Sequence, residues 1–70
     1  MTFLDKILDE ALRDGWTLEV KHRVTGVTDY EARLIRKSEE VSSAAPHAGE
    51  AYEDCLINFV KWKFHEANKR

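Results

Sequence analysis

Apolar residues recur with a helical period at the two ends of the chain and with a period of two between them. Near the start, Phe3, Leu4, Ile7, Leu8, Ala11 and Leu12 fall at i, i+3 and i+4 spacings, with Asp5, Lys6, Asp9, Glu10 and Arg13 on the other side. This predicts an amphipathic helix whose apolar stripe faces a core. Thr2 is placed to cap it, and Asp5 three residues later completes a capping-box pair. Gly15 stops the helix, because a glycine just past the last periodic residue takes the left-handed conformation that ends helices, and Trp16 can then fold back on the last turn.

From Trp16 the period becomes two. Trp16, Leu18, Val20 and His22 alternate with Thr17, Glu19, Lys21 and Arg23, the pattern of a half-buried strand. Thr25-Gly26 supplies a turn, and the alternation resumes with Thr28, Tyr30, Ala32 and Leu34 against Asp29, Glu31, Arg33 and Ile35. The two runs predict an antiparallel hairpin with one apolar and one charged face, Ile35 being the exception on the charged side.

Residues 38–49 are rich in small and breaking residues and lack a sustained period, so they are expected to form a loop. A short third strand around Val41 is expected within it, since a bare two-stranded sheet gains from another pairing. The helical period then returns over residues 48–67, where Ala48, Ala51, Tyr52, Cys55, Leu56, Phe59 and Trp62 make one stripe. A second row, Ile57, Val60, Phe64 and Ala67, adjoins it, so the apolar surface is wider than one small hairpin needs. Ile57, Val60 and Phe64 are therefore expected to dock a second copy or a partner, unless the loop from Glu39 to Gly49 folds over them.

The expected fold is α+β, a single domain over residues 1–70 of order α-β-β-(β)-α, with both helices on one face of a hairpin or short three-stranded sheet. At 70 residues a chain buries only about 60% of its unfolded surface, which leaves no room for a second domain or a deep catalytic cleft and makes extra burial in a dimer or complex favourable. Eleven basic against 13 acidic residues give a net charge of −2, the wrong balance for a protein that neutralises phosphates wholesale. The lone cysteine makes no internal disulfide, and neither a membrane span nor a signal peptide is recognisable. A reduced, cytoplasmic setting is expected.

Candidate chemistry is sparse. His22, His47, His65 and Cys55 are scattered one per element rather than grouped as zinc ligands, and Cys55 sits on the buried stripe. Gly15, Gly26 and Gly49 stand in unrelated contexts, not in a phosphate-cradling loop. No cofactor, metal or small-molecule substrate is therefore expected, and no catalysis. Two charged groupings remain. Glu39, Glu40, Glu50, Glu53 and Asp54 form an acidic cluster that reads either as dipole-favoured acids beside a solvated loop or as a patch for a basic partner. Lys21, Arg23, Arg33 and Lys37 give the hairpin's outer face a small basic excess, read either as cross-strand ion pairs or as a weak nucleic-acid surface. The basic end of the last helix, Lys61, Lys63, Lys69 and Arg70, would assist the latter.

The helix, strand, strand, helix order looks like a shortened double-stranded RNA-binding domain. That family places a lysine cluster at the start of its last helix, where this chain has His47-Ala48-Gly49-Glu50-Ala51, so the resemblance carries no phosphate grip with it. Gly15-Trp16 opening a strand, Tyr30-Glu31-Ala32-Arg33-Leu34 in the next, and Gly49-Glu50-Ala51 starting an amphipathic helix are similar to small proteins of bacteriophages and mobile elements, anti-CRISPR and other anti-defence proteins among them. That resemblance implies a non-catalytic inhibitor that occludes a surface of a host defence complex in the host cytoplasm. The alternative expectation is a weak nucleic-acid-binding domain using the hairpin face and the basic helix end.

Overall fold

A computed structural model describes residues 2–23 and 29–68. The expected Thr25-Gly26 turn, Thr28 at the start of the second run, and the terminal Lys69 and Arg70 lie outside the described residues. The elements run α1 (Phe3–Arg13), β1 (Thr17–His22), β2 (Tyr30–Arg36), β3 (Glu39–Ala45) and α2 (Ala48–Ala67), an α+β fold with one antiparallel sheet of order β1-β2-β3.

Local chemistry sets the boundaries of α1. The Asp5 N–H donates to Thr2 Oγ1 at 3.2 Å and the Thr2 N–H donates to Asp5 Oδ2 at 3.3 Å, a complete capping box. At the other end Gly15 has φ +93°, the Gly15 N–H donates to the Leu12 carbonyl and the Trp16 N–H to the Ala11 carbonyl at 3.0 Å. These two reversed bonds satisfy carbonyls that the helix leaves open and turn the chain toward the sheet. Trp16 thus belongs to the helix stop, and β1 begins one residue later than its alternation suggested.

The register places Leu18, Leu34 and Val41 across one face, followed by Val20, Ala32 and Ser43, then His22, Tyr30 and Ala45. Helix α2 lies across β2 and β3 on this face, and α1 packs beside it toward β1. The core is Ile7, Ala11, Trp16, Ala32, Leu34, Val41, Ala45, Ala51, Cys55, Leu56 and Phe59. Trp16, Phe59 and Trp62 form its aromatic centre, with Trp16 edge-on to Phe59 at 5.0 Å and to Trp62 at 5.2 Å.

The loop expected over residues 38–49 is corrected in extent, and the short third strand expected around Val41 within it is present and longer than expected. Residues 39–45 form a seven-residue strand, with only the tight turn Lys37-Ser38 before it and Pro46-His47 after it. Ser42, Ser43, Ala44 and Ala45 are weak strand formers, but β2 offers a full edge of N–H and C=O groups, and Val41 and Ala45 point into the core two pleats apart. Pairing and burial decide the conformation, not propensity. Lys37 takes positive φ, 54°, to close this turn.

Candidate functional site

The ridge that the sequence places beside the core stripe is open. Ile57 is 44% exposed, Val60 38% and Phe64 71%. The segment expected to cover it is β3, which instead packs under the buried face of α2: the Cys55 thiol donates to the Val41 carbonyl at 3.4 Å and Asn58 Nδ2 to the Ser42 carbonyl at 3.3 Å. That alternative is therefore overturned, because β3 is held by β2 on the far side of the helix.

The ridge borders a groove of about 440 Å³ between the two helices, lined by Phe3, Leu4, Ile7, Ile57, Val60 and the stem of Lys61. Phe3 is 72% exposed. Its helical phase sits at the margin of the α1 stripe, so its ring reaches the groove rim while Ile7 fills the floor. The spacing of α1 assigned Phe3 and Leu4 to a core, but only the crossing of α1 over α2 shows that they build a second apolar wall. The signal in the sequence was the width of the α1 stripe, which ends on a phenylalanine in the first turn where little of the fold lies beyond it.

The charged groupings are dispersed. Glu39 and Glu40 are neighbours on a strand and so point to opposite faces: Glu39 pairs with Arg36 at 2.8 Å and Glu40 lies 3.8 Å from Arg33. Glu50, Glu53 and Asp54 are exposed on the first turns of α2. The five acids do not form one patch.

On the outer face of the sheet, Arg33 lies among three carboxylates, Glu19 at 3.0 Å, Glu31 at 3.7 Å and Glu40 at 3.8 Å, and Arg23 pairs with Glu31 at 3.2 Å. Cross-strand register explains this, since Glu19 stands directly opposite Arg33. Of the four expected nucleic-acid residues, Lys21 and Lys37 make no ion pair among the described residues; Lys21 is exposed at the edge strand and Lys37 forms the β2–β3 turn.

Two titratable groups are perturbed in or near the core. Burial pushes the Cys55 thiol up to about 11, against a weaker opposing effect of the Leu34 backbone. Burial also raises the Tyr52 phenol, reinforced by the nearby Asp5 carboxylate. A protonated, fully buried thiol is a poor nucleophile. Among the described residues no group of three or more His, Cys, Asp or Glu side chains is arranged to hold a metal ion, and no helix is long and apolar enough to cross a membrane.

The chain matches no protein-family model, no curated protein and no solved structure. The groove and its ridge therefore stand on their own geometry.

Proposed function

We propose that the protein is a small non-catalytic module that binds another protein through the groove between α1 and α2. The observation that carries this reading is the set of exposed large apolar side chains Phe3, Ile57 and Val60 lining one open groove of a 70-residue chain, with Phe64 exposed one helical turn beyond Val60 on α2. Contiguous exposed apolar surface is costly in a monomer and marks interaction sites. The pairing of Arg23 and Arg33 with carboxylates favours this over the nucleic-acid alternative, because a phosphate contact at either arginine would have to displace an existing ion pair and only Lys21 and Lys37 of the four candidates are left unpaired among the described residues. The narrower expectation, an inhibitor of a host defence complex acting in the cytoplasm, rests on the resemblance to phage and mobile-element proteins and is a proposal of the same kind.

The test is a side-by-side capture from bacterial lysate with the wild type and Val60→Glu, both checked by circular dichroism. Val60 is a groove residue outside the buried core, so the variant keeps its fold. Proteins retained by the wild type and released by the variant support the groove as the binding site. Identical captured sets from a monomeric wild type would remove it.

A further inference from the structure

We infer that the groove is self-complementary and that its occupant is a second copy of this chain, docked with the two α2 helices antiparallel. This rests on reading the groove as a protein-docking surface and names what fills it. Along the exposed side of α2, Glu53, Ile57, Val60, Lys61 and Phe64 follow at i, i+4, i+7, i+8 and i+11, so they share one face. Charge is ordered along that helix. Its first half carries Glu50, Glu53 and Asp54 with no base, and its second half carries Lys61 and Lys63 with Glu66.

A two-fold axis crossing α2 between Ile57 and Val60 makes use of this order. It lays Ile57 of each copy against Val60 of the other, brings Phe64 level with the second copy's Glu53 and one helical turn from Ile57 at the edge of the groove walled by Phe3 and Ile57, and sets Lys61 within one helical turn of the same Glu53. The helix dipoles then oppose one another favourably. A parallel arrangement would stack the acidic halves on each other, which specifies against it. Burial is reciprocal, so each copy removes Phe3, Ile57, Val60 and Phe64 from water at once. A chain of this size gains disproportionately from such additional burial.

The experiment is sedimentation velocity on the full chain at about 100 μM, where an interface of micromolar affinity is occupied. The proteins compared are the wild type, Val60→Glu, Glu53→Lys, Lys61→Glu and the double reversal E53K/K61E, each with its thermal melt. Expected are a wild-type dimer, a folded monomer for Val60→Glu, dimer dissociation constants at least about fivefold weaker for each single reversal, and recovery in the double reversal, because two-fold symmetry restores the pairing within one sequence. A wild-type monomer, or a double reversal no tighter than the singles, overturns the antiparallel dimer. If the wild type is monomeric yet Val60→Glu still releases a lysate protein, the second copy is wrong and the docking groove stands; if the captured sets are also identical, both fall.

Discussion

The guanidinium of Arg36 lies over the ring of Trp16, with its central carbon 4.8 Å from the ring centroid. The same group is hydrogen-bonded to Glu39 at 3.0 and 2.8 Å and to Asp14. One side chain on the last position of β2 thereby joins the end of α1, the start of β3 and the outer surface of the aromatic centre. The Glu39 hydrogen bonds, with the charges of Glu39 and Asp14, outweigh desolvation and raise the Arg36 guanidinium above its ordinary value, and an arginine is a cation at every accessible pH in any case. Arg36→Met is expected to lower the melting temperature and broaden Trp fluorescence, and Arg36→Lys to fall between it and the wild type, since lysine keeps charge but loses the flat fork that stacks and bridges. Thermal unfolding followed by fluorescence tests this ordering; a lysine variant equal to the wild type would show that charge alone suffices.

Trp16 is 3% exposed and touches both Phe59 and Trp62. Truncating a large buried aromatic costs about 3–5 kcal/mol, comparable to the whole stability of a domain this size. Trp16→Ala is therefore expected to abolish cooperative unfolding, while Trp16→Phe keeps a reduced transition. A cooperative melt for the alanine variant near the wild-type temperature would contradict the position assigned to this side chain.

Cys55 gives a pH dependence of known sign. Its thiol is neutral in the folded state up to about 11, whereas in the unfolded chain it ionises near 9.0. A group whose folded pKa is raised contributes stability that is complete below the unfolded value and is lost as pH rises toward the folded one. Urea unfolding is expected to show stability falling between pH 9 and 11 by an amount on the order of 2 kcal/mol that Cys55→Ala does not share. Alkylation at neutral pH should also be blocked in the native protein and rapid in urea. Parallel slopes for the wild type and Cys55→Ala would refute the assignment.

Lys37 holds φ 54° in the two-residue turn between β2 and β3. A non-glycine residue there bears about 1–2 kcal/mol of steric cost, partly offset by the greater freedom a glycine has in the unfolded chain. Lys37→Gly is accordingly expected to stabilise the protein by roughly 0.5–1 kcal/mol in urea unfolding. A destabilised variant would mean that the lysine side chain makes a contact outweighing its backbone strain.

The amino-acid sequence by itself determined both helices, because their signals are local. The capping pair of Thr2 and Asp5, the stop at Gly15 and the stripe from Ala48 to Ala67 act within a few residues of where they occur. It also determined which faces of β1 and β2 are apolar, since the side-chain period of two is a property of the strand alone. A third strand around Val41 was anticipated from the sheet's need for another pairing, but tertiary structure decided that it runs over all of Glu39–Ala45: serines and alanines have little preference of their own, and the edge of β2 supplied the partner. It likewise decided the groove. The ridge Ile57, Val60 and Phe64 was legible from helical spacing, but the facing wall of Phe3, Leu4 and Ile7 was not. Two helices separated by the whole sheet in sequence meet there at a crossing fixed by how their side chains pack, and no local pattern encodes that angle.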